Sequence, residues 1–384
     1  MKLVLAIVIA VASAPARADP YRLRADALAT THSPAGLLVL EADAKATATT
    51  NAEAIVWTAT ERADVLVMTL RARTRDGRVS GRVGRFVASL GALRPVQVDG
   101  AAGRVRLPKR IDIEAYGGVP VLSFEHPINE RAWDWVVGGR VSRRLGDYGS
   151  AGVALLEQRD NGRLATRELG VDTGLAVDKH HDLAARIAYD LANPGLADAY
   201  ASGIRRKGKL RGELYAGYRA ASHLLPATSL FSVLGDTPSA RGGLMLGSKV
   251  APRLEVMSDM GLRAAADDAG VILVLRARLA LDDDWQSALI GELRRDGVGE
   301  DAWTGVRGAA RIALPHSLTA STELELVVPD RDRMRGRVWP WALAALSYER
   351  GPWRAAGAVE ASSSAEYKHR LDVLFSLTRL WGAQ

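Results

Sequence analysis

From Trp133 to Trp381 the chain follows one local rule: about ten residues alternate between apolar and polar or small, a turn follows, and the pattern starts again. In Leu210 to Ala221 one set is Leu210, Gly212, Leu214, Ala216 and Tyr218, and the other is Arg211, Glu213, Tyr215, Gly217 and Arg219. The same period of two sets Leu183, Ala185, Ile187 and Tyr189 against Asp182, Arg186 and Asp190. It also sets Leu273, Leu275, Ala277 and Leu279 against Arg276, Arg278 and Asp282. Further strands are predicted at Trp303 to Leu314, Leu318 to Val328, Trp339 to Tyr348, Trp353 to Ser362 and Arg370 to Trp381. Apolar residues three and four apart, the mark of a helix, are not found in a convincing run. Before Trp133 the pattern predicts Tyr21 to Thr31, Leu37 to Ala46, Val65 to Arg73, Val79 to Ala88 and Ile111 to Gly117, with Ile55 to Thr60 an ambiguous extra.

The connectors alternate in length. Tight ones fall at Asp147-Tyr148, Lys179-His180, Lys207-Gly208, Ala251-Pro252, Asp283-Asp284, Pro315-His316 and Gly351-Pro352. Looser ones fall between them, the longest at Gly117 to Arg131 and Ser222 to Arg241; Asp160-Asn161 and Ala265 to Gly270 are short exceptions. Short turns at one end and longer loops at the other define an up-and-down transmembrane β-barrel, the all-β class expected here, with an even count of about 18 antiparallel strands. Both chain ends then lie at the periplasmic face and the long loops outside. The lipid face falls to Leu183, Ile187, Leu214, Leu273, Leu275 and Leu279. Trp133, Trp135, Trp285, Trp303, Trp339, Trp341, Trp353 and Trp381 lie near strand ends, where a girdle at the headgroup level is expected.

Charge on the other face must then point inward, since an Arg facing lipid near the midplane costs about 2 to 4 kcal/mol. The candidate pore lining is Arg186, Arg211, Glu213, Arg219, Arg276, Arg278, Asp282, Arg307, Arg311, Glu323 and Glu325. These side chains either set the ion preference of an aqueous path or brace the wall in cross-strand pairs.

The first eighteen residues read as an export signal. Lys2 precedes an apolar run, Leu3 to Ala12, and Ala16-Arg17-Ala18 supplies a small-x-small cleavage site. Residues 19–384 are expected to form a single barrel domain. The run is too short to span a bilayer as a helix. The full chain has 384 residues, 51 Lys+Arg against 44 Asp+Glu and no cysteine, which excludes thiolate metal sites, Cys nucleophiles and disulfides. The excess positive charge is mild, with Arg205, Arg206, Lys207 and Lys209 the densest cluster, and this speaks against a nucleic-acid partner.

No constellation for catalysis stands out. His180-His181-Asp182 sits at a predicted turn, and no GxSxG elbow is present. Asp282 to Asp284 and Asp330 to Asp332 lack calcium-loop spacing, so no metal or other cofactor is expected. The expected activity is passive passage of small, preferentially anionic solutes, without enzyme chemistry. A membrane-embedded lipid hydrolase and a soluble all-β envelope binding protein are the alternatives.

Gly81-Arg82-Val83-Gly84-Arg85-Phe86, then Val98-Asp99-Gly100 and Ala115-Tyr116-Gly117-Gly118-Val119-Pro120, resemble the Gly-Arg-Gln and Asp-Gly signature of alginate-export-type and related porin-like barrels. Phe86 stands where that pattern has Gln, and no functional residue is carried over. Leu371, Val373, Phe375 and Leu377, alternating toward Trp381, resemble the C-terminal assembly signal of such proteins. Arg379 and the trailing Gly382-Ala383-Gln384 depart from it. The resemblance implies a bacterial outer-membrane location, surrounding outer-membrane lipid and the barrel-assembly machinery as partner.

Overall fold

A computed structural model describes residues 21–30, 36–59, 63–121, 134–220, 239–265, 268–331, 338–364 and 369–381. The expected export signal (1–18), Trp133 and most of the two longest loops lie outside them. The chain forms β1 (Tyr21–Thr30), β2 (Gly36–Thr47), β3 (Thr50–Thr58), β4 (Ala63–Arg73), β5 (Val79–Ala88), β6 (Val96–Leu107) and β7 (Ile111–Pro120). It continues with β8 (Trp135–Arg144), β9 (Gly149–Asp160), β10 (Arg163–Ala176), β11 (His181–Asp190), β12 (Gly195–Lys207), β13 (Leu210–Arg219), β14 (Ser239–Ala251) and β15 (Leu254–Ala265). The last seven are β16 (Asp268–Ala280), β17 (Ala288–Asp296), β18 (Trp303–Leu314), β19 (Leu318–Pro329), β20 (Trp339–Arg350), β21 (Trp353–Ser362) and β22 (Arg370–Trp381).

Each strand pairs antiparallel with the next, and β22 pairs antiparallel with β1 from Leu23↔Trp381 to Thr30↔Leu374, so the sheet closes on itself. At this seam the Thr378 hydroxyl hydrogen-bonds Asp26, and Arg24 bridges Asp26 and Glu41 on one face. Among the described residues no helix is long and apolar enough to cross a membrane.

The count is 22, against the expected 18 or so. All strands after Trp133 stand where the alternation puts them, and the two that it does not plainly announce, β3 and β6, lie before it; joining doubtful neighbours into one strand lowers the expected count further. In β6 the stretch Asp99-Gly100-Ala101-Ala102-Gly103 carries no large apolar side chain and reads as a turn. In β3 the run Ile55-Val56-Trp57 hides the alternation, at the site of a register shift against β4.

The connectors sort into two ends. Links from even to odd strands, such as 351–352 and 252–253, form a turn end that also holds both described termini, and links from odd to even strands form a loop end. Asp283-Asp284 departs from its expected tightness, because the β16–β17 link runs from 281 to 287.

Cross-strand partners share a face, so the register divides the wall into two surfaces. One carries the exposed apolar side chains of β4 to β22, among them Leu183, Leu214, Leu275, Leu324 and Phe375. The other carries the charges. That other face is concave. The 89–95 link between β5 and β6 packs Leu90, Ala92 and Leu93 among Tyr116, Val136, Leu156, Ala188 and Ala197 of β7 to β12. One short segment can touch so many strands only from inside.

With strands about 4.8 Å apart and tilted about 40°, a circular barrel of this size is about 44 Å across. Its β5 and β11 walls are then about 33 Å apart. A seven-residue loop extends about 25 Å at most, and less when it must return to a neighbouring strand. The wall therefore curls inward around the segment.

Gly84, Gly100 and Gly118 make that bend. They are in register on the inner face, and a Cβ would lie 2.0 Å from the Met68 carbonyl oxygen at Gly84 and 2.1 Å from that of Gly117 at Gly100. Any side chain there would hold the backbones apart. The segments that carry the porin-like resemblance thus meet at one corner of the barrel.

Candidate functional site: the barrel interior

The inner face is built of arginine and carboxylate rows. Asp198 on β12 is nearly buried and accepts from Arg186 Nε at 2.8 Å and Arg219 Nε at 3.3 Å, tying β11 to β13. Glu292 on β17 accepts from Arg276 and Arg294, and Arg307 bonds Glu323. Arg294 also lies 3.7 Å from Glu325. These links cross β16 to β19 without a break. Arg211 donates to Glu213 on its own strand at 3.0 Å, and the Tyr200 hydroxyl reaches the same carboxylate. Most of the arginines expected to line a pore are therefore held by acids.

Two are not. Arg278 stands opposite Glu255 in register, but its guanidinium lies 4.7 Å from the Trp285 ring centroid. Among the described residues neither Arg278 nor Arg311 has a carboxylate within ion-pair distance. Asp282 belongs to the turn, correcting its place in the lining: Oδ1 accepts from the Gln286 N–H and Oδ2 from the Ser287 N–H. Desolvation pushes its pKa up, but these hydrogen bonds outweigh that and hold it below the ordinary aspartate value.

The tryptophans divide. Trp135, Trp353 and Trp381 fall on the apolar outer face. Trp303, Trp339 and Trp341 share the inner face with Asp296, Val327 and Glu325, and Trp341 Nε1 donates to Glu360 at 2.9 Å. Trp285 sits in a turn with Lys249 and Arg278 over its ring. This corrects the expectation of one outward girdle. A strand end fixes the level of a side chain, whereas its face depends on parity.

The interior also holds a cluster that the strand pattern does not reveal. Phe86, Val98, Leu156 and Val136 are at most 1% exposed, as fully buried as a soluble core. Leu90 and Leu93 cover them. Arg94 Nε donates to Glu168 Oε1 at 2.6 Å, and the Glu168 side chain is 0% exposed. Gly91, at φ +58°, lies over a second pair in which Arg140 grips Asp172 with bonds of 2.6 and 3.0 Å. A Cβ at Gly91 would come within 2.0 Å of Asp172 Oδ2. A cavity of about 570 Å³ opens on the turn-end side of the segment, lined by Arg71, Arg82, Arg104, Ser80, Asn51 and Tyr116 among others. Arg82 stacks on Phe86 at 4.0 Å and faces Arg71 directly across the strands.

Among the described residues no group of three or more His, Cys, Asp or Glu side chains is placed to hold a metal ion. The His180-His181 pair lies at a turn whose organiser is Asp178. This residue accepts both backbone N–H groups at 2.6 and 2.9 Å and pairs with His181 Nδ1 at 2.9 Å.

No protein-family model matches the chain, and no curated protein sequence does. Solved structures do. The translocation pore of the P pilus usher PapC is 8% identical, with a TM-score of 0.53 over 95% of this chain and 99% of that one. The siderophore receptor PirA from Pseudomonas aeruginosa is 9% identical, with a TM-score of 0.55 over 96% and 82%. OccK3 (OpdO) from the same organism is 11% identical, at 0.45 over 94% of each chain. The fold is that of the β-barrels of PapC and PirA.

Proposed function

We propose that the protein is an outer-membrane channel for passive passage of small solutes, with a modest preference for anions. The observation that carries this reading is the division of a closed 22-stranded wall into an apolar outer face and an inner face of arginines and carboxylates. A soluble sandwich would bury its apolar face, whereas here that face is the exposed one. In this reading the chain is exported by residues 1–18, the turn end is periplasmic, and Trp135, Trp353 and Trp381 form part of the interfacial girdle. The 89–95 segment fills one lobe of the lumen and leaves passage to the rest.

Anion preference follows from the balance of paired and unpaired groups. Arg186, Arg219, Arg276 and Arg307 spend their charge on neighbouring carboxylates and brace the wall. Arg278 and Arg311 do not, and a guanidinium stays charged at any accessible pH. Low-dielectric walls concentrate that field, and salt screens it. Liposome swelling tests the reading: protein-loaded vesicles should admit small sugars and small carboxylates and exclude large oligosaccharides. Vesicles that carry folded protein and admit neither would refute it.

A further inference from the structure

The outer face carries charge only near its ends, and the two ends differ. At the loop end the outward arginines are neutralised within the wall. Arg85 donates from Nε and one terminal nitrogen to the two oxygens of Asp99, both at 2.7 Å. Arg167 reaches Glu157 at 2.7 Å, and Arg295 pairs with Asp330. At the turn end the register places Arg350, Trp353 and Arg379 side by side on adjacent strands, with Trp381 two residues further along β22. Among the described residues neither Arg350 nor Arg379 has a carboxylate within ion-pair distance.

The Arg379 guanidinium lies 4.7 Å from the Trp353 ring centroid and 4.8 Å from that of Trp381. Its Nε is buried and has no hydrogen-bond partner. Two like charges on the strands flanking β21, with no acid in the row, make this part of the face a place where an anion is attracted. Indole rings settle at the headgroup level of a bilayer, and a guanidinium held between them presents its donor fork to phosphate geometry.

We propose that Arg350, Trp353, Arg379 and Trp381 form a headgroup site for an anionic glycerophospholipid of the leaflet at the turn end. The site rests on the membrane reading above. It also gives a role to the arginine that interrupts the apolar series of the closing strand. The phosphate accepts from Arg379 and Arg350, the indoles cover the glycerol region, and the acyl chains run along Leu377, Phe375 and Val359 of the same face.

The test is native mass spectrometry of the full chain in micelles supplemented with phosphatidylglycerol or phosphatidylcholine, with heat-modifiable gel migration run on every sample. The wild type should retain phosphatidylglycerol preferentially. Arg379→Gln should lower that retention about fivefold, Arg350→Gln should lower it less, and Arg167→Gln at the loop end should leave it unchanged. Equal retention in wild type and Arg379→Gln, or an equal loss in Arg167→Gln, would overturn the site. Should Arg379→Gln not assemble, Arg350→Gln decides alone: retention equal to wild type overturns the site. A wild-type chain without heat-modifiable migration would instead overturn the membrane reading.

Discussion

Replacing Glu168 with glutamine loosens the 89–95 segment while keeping the shape of its anchor. The carboxylate accepts from Arg94 Nε at 2.6 Å, with a weaker approach from the Arg94 backbone N–H at 3.4 Å. A hydrogen bond to a charged group contributes about 1.5–3 kcal/mol. Because Glu168 has no solvent exposure, little of this is lost to screening. The amide oxygen of glutamine still accepts, but its NH2 faces a guanidinium, so most of the charge-assisted term is lost. At 1.36 kcal/mol per tenfold, opening of the segment becomes about 10 to 150 times more frequent. Amide hydrogen exchange reads that frequency for residues 90–94, where the Leu93 N–H bonds the Leu90 carbonyl at 3.1 Å. Strand amides of β18 and β19 should not change. Exchange at 90–94 within about twofold of wild type would mean that Leu90 and Leu93 alone hold the segment, and would refute the anchoring role of the ion pair.

Gly91→Ala should undock the same segment by another route. Its positive φ costs a side chain about 1–2 kcal/mol, and the Cβ displaces the Asp172 carboxylate from Arg140; the same exchange experiment reads it, and unchanged rates contradict the packing. Leu275→Arg, on the outer face near the middle of β16, should destabilise the barrel by about 2–4 kcal/mol in denaturant titrations in lipid. Val274→Arg, on the inner face between Asp259 and Arg294, should cost far less, and equal losses would mean that both faces are packed. At the Lys179-His180 turn the hydrogen bonds from His181 and the His180 N–H hold the Asp178 carboxyl down to about 2. With the folded value depressed, the stabilisation is full above the ordinary aspartate value and is lost as pH falls through about 2. Exchange of the His180 and His181 amides, corrected against a reference peptide, should accelerate only in that window, and Asp178→Asn should abolish the step.

The alternation makes β8 to β22 legible because each of those strands separates an apolar outer face from a polar inner one along its whole length. It fails where the wall bends. In β6, Gly100 and its neighbours are small because the backbones of β5, β6 and β7 approach too closely for side chains, so the residues that make the corner erase the pattern that would announce a strand. The charged face is readable in one dimension, but its pairing is not. Arg276 and Arg278 look alike in sequence, and only the register to β15 and β17 gives the first to Glu292 and leaves the second over Trp285. Arg94 and Glu168 are 74 residues apart, and Ser89-Leu90-Gly91 reads as an ordinary turn. The tryptophans illustrate the same limit. In β20 both parities carry leucine, Leu343 and Leu346, so Trp339 and Trp341 take their face from their partners on β19.

Conduction through the polar lumen is read most directly by single-channel recording of purified, heat-modifiable protein in a planar bilayer, at low ionic strength and across a salt gradient. Discrete ohmic steps are expected, with a reversal potential displaced toward that of chloride. The displacement should shrink in Arg278→Ala with Arg311→Ala, and also at 1 M salt, where the screening length falls to about 3 Å. Folded protein that inserts and gives no steps, or gives steps with a cation preference, would contradict the account.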